Sequence, residues 1–269
     1  MYAAVDIGGT KTLIAVFDAH GKLLEKIKFA TPEDYPEFIS SLAENLAKLS
    51  HKDFKAAVVA APGRIDRDRG IGLRFGNLPW REVPLQEDAA KVLGCKVRLE
   101  NDVKLATLSE ARLLEGEYDK VLYMTISTGI GIGLAVHGKL DPESIDAEVG
   151  GMLLENEGQL KRWEDFASGR AIVEKFGKRA SEITDLADWY IIARNLAIGM
   201  TNVISSFTPD VIVLGGGVGT HLDNFRDRLV EELKIYENPL APTPPIIKAQ
   251  RPEEAVIYGC YELAKDING

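Results

Sequence analysis

Apolar and polar positions along the chain repeat one pattern twice. Residues 2–7, 12–18 and 22–30 are strand-like apolar runs separated by short glycine turns, as in antiparallel hairpins. Residues 36–49 then place Phe38, Ile39, Leu42, Leu46 and Leu49 at helical spacing. The stretch FKAAVVAAPG reads as a short buried strand closed by Pro62 and Gly63. Residues 85–93 predict a helix stopped by Gly94, CKVRLEND a further strand, and residues 103–114 another helix. At DKVLYMTISTGIGIGLAVHGKL the order begins again, with strands predicted at 121–127 and 133–137. A long helix is predicted over 187–207, a buried strand in PDVIVLGGGVG, a helix over 222–233, a strand in PPIIKAQ and a closing helix over 253–265. Two copies of one mixed α/β unit, facing each other across a cleft, fit this order.

Composition narrows the class. The chain has 269 residues, 45% hydrophobic and 27% charged, enough for a sizeable core in one large or two modest domains. Its formal net charge of −9 argues against a dedicated nucleic-acid binder, which needs a basic face to replace counterions. No apolar stretch is long enough to span a bilayer and no secretory leader is visible, so the expectation is a cytoplasmic protein without a membrane partner. Cys95 and Cys260 are far apart and form no metal-ligand spacing; both read as buried thiols. His20, His51, His137 and His221 read as surface residues.

The candidate chemistry lies in the turns. DIGGTKT and STGIGIG occupy the same place in each half. Glycines there let backbone approach a ligand, and the exposed N–H groups of such a turn form an anion-binding concavity. Thr10, Thr12, Ser127 and Thr128 add hydroxyls, and Lys11 a point charge. Two such turns could grip a polyphosphate. GIGIG does not fit the dinucleotide fingerprint, since a strand and not a helix follows it, and no P-loop motif is present.

DIGGTKT, PGRIDRDRG with NLPW, LENDVKLATLSEA, STGIGIGLAVHGKL, AEVGG, WEDFASGRA and PDVIVLGGGV together resemble, in order, the signatures of the ROK sugar kinases. The resemblance runs from Asp6 to about Gly259. It implies an α/β fold of the actin-like ATPase class: two ribonuclease-H-like lobes with mixed five-stranded sheets around a central cleft. The expected division is 1–114 plus 253–269 as a smaller N-terminal lobe with its closing helix, and 115–252 as a larger C-terminal lobe. The implied activity is ATP-dependent transfer of the γ-phosphoryl group to the 6-hydroxyl of a hexose, with glucose favoured and Mg²⁺ as the accompanying ion. By the same resemblance the lobes close on the sugar and expel water, and a homodimer is a possible assembly.

What the resemblance implies for residues is specific. Asp102, between strand and helix, is by this resemblance the general base for the sugar hydroxyl; from the local residues alone, Asn101 or Asp102 reads rather as a helix N-cap. Gly63, Asn77, Asn101, Asp102, Glu148 and Glu164 are the sugar ligands. Nucleotide contacts fall to Gly8, Gly9, Thr10, Lys11 and Thr12 of the first turn, to Thr128, Gly129 and Gly131 of the second, and to Gly215, Gly216 and Gly217, where adenosine passes close to backbone. Asp6 orients Mg²⁺ through water.

Two positions depart from the family pattern. Most ROK kinases carry Glu-x-Gly-His, whereas this chain reads Glu148-Val149-Gly150-Gly151. The family's cysteine-rich zinc loop is replaced by LLENEGQLKRWE, without thiolate or imidazole, so no structural zinc is expected. Packing through Leu160 and Trp163 is expected to order that loop instead. Other readings stay open: N-acetylmannosamine, N-acetylglucosamine, fructose or mannose as acceptor, or a catalytically weak sugar or nucleotide sensor. A family repressor would need a DNA-binding segment before the first turn, which begins here at Asp6.

Overall fold

The computed structural model describes residues 1–267. The chain divides into two compact units, Met1–Ser109 with the chain from Glu253 onward, and Glu110–Pro252. The division falls inside a helix, ahead of the Leu114 boundary read from the sequence.

The first unit is built on β1 (Tyr2–Ile7), β2 (Lys11–Phe17), β3 (Leu23–Ala30), α1 (Tyr35–Ala47), β4 (Ala56–Ala61), β5 (Arg64–Asp66), β6 (Ile71–Phe75), β7 (Leu78–Val83), α2 (Leu85–Leu93), β8 (Lys96–Asn101) and α3 (Asp102–Leu113). Its main sheet has the order β3-β2-β1-β4-β8. β1–β2 and β2–β3 pair antiparallel, β1–β4 and β4–β8 parallel. Alternation along β1 sends Ala3, Val5 and Ile7 into a core with Phe38 and Leu42 of α1 and Leu85 and Ala89 of α2. Local signals set the helix ends. Asp34 accepts from the Glu37 N–H at 3.0 Å to start α1, and Gly94, at φ 67°, closes α2.

The second unit contains β9 (Lys120–Ile126), β10 (Ile130–Val136), β11 (Lys139–Leu140), β12 (Leu153–Asn156), β13 (Gln159–Arg162), α4 (Trp163–Ala167), α5 (Gly169–Phe176), α6 (Leu186–Phe207), β14 (Val211–Gly215), α7 (Gly216–Gly219), α8 (Arg226–Ile235) and β15 (Ile246–Lys248). Its main sheet, β11-β10-β9-β14-β15, repeats the first strand for strand: β9–β10 and β10–β11 are antiparallel, β9–β14 and β14–β15 parallel. The long helix α6 buries Ile192, Leu196, Met200 and Val203 against this sheet's core. The last helix, α9 (Ala255–Asp266), returns to the first unit and packs on β1 and β4. There Tyr2 and Phe17 meet Tyr261 at ring distances of 5.8 and 5.2 Å.

Several expectations are corrected. The 222–233 stretch is not one helix: a short 3-10 turn at Leu222–Asn224 precedes α8, and Phe225, at φ −140°, breaks the continuity. Gly131 lies within β10, paired with Thr125, so the second glycine turn is only Ser127–Thr128–Gly129. LLENEGQLKRWE is a β-hairpin, β12–β13, turned by Glu157 and Gly158 at φ 55° and 80°. Two positive φ angles at the centre of a two-residue connection suit the strands' right-handed twist. The small antiparallel sheet β5-β6-β7, which the apolar pattern did not announce, occupies the segment carrying Gly63 and Asn77.

Candidate active site

In each unit the parallel strands end on one sheet edge, where open α/β sheets bind ligands. In the first unit Asp6 lies opposite Ala60, which lies opposite Glu100, and Ala61 opposite Asn101. This one edge therefore carries Asp6, the Gly8–Lys11 turn, Gly63, and the Asn101–Asp102 corner. In the second unit Gly215 is opposite Thr125. That edge carries the Ser127–Gly129 turn and Gly216–Gly217.

In the first turn, the Gly8 N–H donates to the Lys11 carbonyl at 2.9 Å. A Cβ on Gly8 would lie 2.8 Å from that same oxygen, so the close turn excludes a side chain. Thr31 holds the turn from behind, donating its N–H to the Thr10 carbonyl at 3.0 Å and its hydroxyl to the Gly8 carbonyl at 2.9 Å. Gly9, Thr10 and Lys11 are exposed, and Asn77 sits beside Gly9. Thr12 differs from its sequence reading: it is fully buried, with its hydroxyl 2.9 Å from that of Thr31, and braces the turn from the inside.

Asp6 is the perturbed group. Burial pushes its carboxyl up to about 7, the negative charge of Asp102 adds to the rise, and Lys28 opposes it. A buried carboxyl shifted towards neutrality on a glycine-lined edge makes Asp6 a candidate functional residue. Among the described residues no group of three or more histidine, cysteine, aspartate or glutamate side chains forms a resident metal cage. A lone carboxylate at a phosphate-type turn suits Mg²⁺ that arrives with a nucleotide, because this ion keeps several waters and binds few protein groups.

At the β8–α3 corner both neighbours accept from backbone N–H groups, and Asn101 makes the helix cap. Asn101 Oδ1 accepts from the N–H groups of Val103 and Lys104 at 2.9 and 3.3 Å, making it the cap of α3. Its amide donates to the Gly63 carbonyl at 3.1 Å. Asp102 Oδ1 accepts from the Val103 N–H at 2.8 Å. Gly63, at φ 93°, lies so near the Arg74 carbonyl that a Cβ would fall 2.2 Å from its oxygen.

The second unit brings Glu164 to its glycine turn. Carboxylate oxygen Oε2 of Glu164 lies where Cβ atoms on Gly129 and Gly150 would approach to 2.7 and 3.1 Å. Glu148 is exposed, adjoining this group through Val149 and Gly150. The WEDFASGRA segment holds the arrangement. Trp163 is fully buried and donates its indole N–H to the Asn195 carbonyl at 3.1 Å. The Gly169 N–H donates to the Ser127 carbonyl at 2.6 Å. Leu160, expected to order the hairpin, is 73% exposed, so Trp163 carries that packing. Gly217 faces open space, whereas Gly215 closes on Tyr123 and Gly216 adopts φ 77° against the Ile126 carbonyl. Gly199, which the sequence reading passed over, is what admits Trp163: a Cβ there would lie 2.1 Å from the indole ring. Gly199→Ala is expected to destabilise the fold by about 1–3 kcal/mol through overpacking. Thermal melting of the variant checks this.

The ROK family model matches residues 2–267. The chain belongs to the ROK family. Among curated ROK relatives, the glucokinase of Streptomyces coelicolor is 26% identical over 97% of this chain and 96% of its own length. The N-acetylgalactosamine kinase AgaK of Shewanella sp. is 30% identical over 81% of this chain and 82% of its own. A solved ROK glucokinase from Streptomyces griseus, in complex with glucose and AMPPNP, superposes with TM-score 0.82 at 27% identity, covering 98% of this chain and 99% of that one. The duplicated sheet order is that of the actin-like ATPase fold shared by ROK kinases, and the chain is a sugar phosphotransferase of this family. No helix among the described residues is long and apolar enough to cross a membrane.

Proposed function

We propose that this ROK kinase transfers the γ-phosphoryl group of ATP to the 6-hydroxyl of a hexose, with glucose as the acceptor and Asp102 as the general base. The observation that carries this reading is the placement of Asp102 on the strand edge that also holds Asp6 and the Gly8–Lys11 turn. Phosphoryl transfer asks the protein chiefly for positioning and charge neutralisation. Asp102 would take the proton from the primary hydroxyl as it attacks. Gly63, Asn77 and Asn101 in the first unit, and Glu148 and Glu164 in the second, would hold the remaining hydroxyls. Asn101 has limited capacity for this, because its carbonyl oxygen caps α3 and its amide already serves Gly63. The exposed residues of the two glycine turns would cradle the phosphates, Lys11 adding charge, and Gly217 would border the adenosine. Mg²⁺ bound with the nucleotide, oriented by Asp6 through water, would neutralise phosphate charge.

Glucose is the acceptor put first, since glucokinases stand among the relatives that align along almost the whole chain, as N-acetylglucosamine kinases also do. The second reading, an N-acetylhexosamine acceptor, rests on Gly151: a Cβ at this position meets nothing within 4 Å, leaving open room beside Glu148. An ADP-release assay over hexoses and N-acetylhexosamines separates the two. Glucose is expected to give the highest kcat/KM, and Gly151→His, which the open space accepts, to improve it further. Preference for an N-acetylhexosamine, abolished by Gly151→His, would replace glucose as the acceptor. Absence of turnover with every sugar would leave a sensor.

A further inference from the structure

The segment from Gly63 to Gly70 holds two consecutive residues at the end of β8, Glu100 and Asn101, and reaches a third, Leu99, through Gln86 of α2. The Gly63 carbonyl accepts from the Asn101 amide at 3.1 Å. Arg67 makes a forked contact with Glu100, its Nε 3.0 and 2.9 Å from the two carboxylate oxygens and its Nη2 2.7 Å from Oε1. The Gly70 carbonyl accepts from the Gln86 N–H at 3.1 Å, and the Gln86 side chain accepts from the Leu99 N–H at 3.0 Å. Of these anchors only the Arg67–Glu100 pair is ionic and buried: the Glu100 side chain is 1% exposed. Glu100 Oε1 also accepts from the Asn101 N–H at 2.7 Å. The carboxylate therefore sits between a guanidinium on one side and the peptide leading into Asn101 and Asp102 on the other.

A buried carboxylate on a strand end is costly unless it is fully bonded, and a well-packed apolar pair would serve stability as well or better. What the ionic pair adds is direction. A planar fork fixes the carboxylate in two dimensions, and the carboxylate fixes the Asn101 peptide.

We propose that Arg67 and Glu100 are positioning residues for the reaction, holding the Asn101–Asp102 peptide so that the Asp102 carboxylate stays aligned with the acceptor. The effect on rate rests on the reading of Asp102 as general base; the effect on the corner's rigidity does not.

The test compares wild type, Arg67→Ala, Arg67→Lys and Glu100→Gln in the full chain, by steady-state kinetics corrected for folded fraction and by amide hydrogen exchange of the peptide spanning 98–106. Arg67→Ala is expected to lower kcat by about 10–100-fold, the scale of a small misplacement of a catalytic group, with KM for ATP little changed. Exchange at residues 101–104 should quicken more than in the rest of the chain. Arg67→Lys keeps the charge without the fork and should recover part of both. Glu100→Gln keeps an acceptor for the Asn101 N–H and removes the charge from the more buried side of the pair, leaving the guanidinium on the 19% exposed Arg67, so its loss should be smaller than that of Arg67→Ala. Should Arg67→Ala fail to fold, the Lys and Gln variants decide alone. Unchanged kcat per folded molecule, or exchange that rises evenly along the chain, would overturn the proposal. A wild type that turns over no sugar would overturn the kinase reading, while the exchange pattern would still decide the positioning.

Discussion

Asp102→Asn is expected to lower kcat by about 10²–10⁴-fold, the usual contribution of a positioned general base, and to leave KM for ATP and the melting midpoint near wild type. The reason for the clean separation is local. Asp102 Oδ1 accepts from the Val103 N–H at 2.8 Å, and an asparagine of the same shape keeps an oxygen there. The cap of α3 belongs to Asn101, so the helix start survives the change. What is lost is the carboxylate's capacity to take a proton. Coupled ADP release with Mg·ATP and the best sugar measures it; a loss below about threefold would remove Asp102 from the role of base.

Asp6→Asn is expected to make the free protein more stable at alkaline pH and, on the proposed role of Asp6, to suppress phosphoryl transfer. The sign follows from the direction of the shift. The Asp6 carboxyl sits at about 7 in the folded chain against 3.8 unperturbed, because burial and the charge of Asp102 disfavour its ionised form. The folded state thus holds this proton more tightly than the unfolded state. The stability the protonated group contributes is full below pH ~4 and is lost as pH rises through ~7. Three pH units correspond to at most about 4 kcal/mol. Asparagine does not titrate, so the variant's melting temperature should exceed that of wild type by several degrees at pH 8, with the gap shrinking towards pH 4. Melting curves at pH 4, 6 and 8 without nucleotide check this. A gap that does not change with pH would mean that Asp6 is ionised throughout at no cost. A carboxylate kept at such expense is understandable when its charged form is wanted by a cation–nucleotide complex.

Much of the framework was legible in the residues. Alternating apolar runs and glycine turns gave β1, β2 and β3 and their counterparts β9 and β10, because a half-buried strand and a tight turn impose local rules on side chains. The helices α1, α2, α3, α6 and α9 were visible through their apolar spacing and, at Gly94, through a left-handed stop. The small sheet β5-β6-β7 and the hairpin β12–β13 were not. Their strands are short, and the apolar residues that β5-β6-β7 buries, Ile65, Phe75, Leu78 and Trp80, are spread over three strands, with too few on each to mark it. The glycine turns and the Asn101–Asp102 corner could be named from the sequence, but not which of the two neighbours caps α3.

By itself the sequence determined the duplicated order of strands and helices, the family, and the residue types able to meet phosphate and sugar, since all of these depend on local periodicity and on motifs of contiguous residues. Only the tertiary structure decided that Thr12 turns inward to Thr31, that Glu164 rests on Gly129 and Gly150, that Gly199 makes room for Trp163, and that Arg67 grips Glu100 behind Asp102. Each of these joins side chains from separate elements, and such pairings are fixed by strand register and helix packing, which no spacing along the chain encodes.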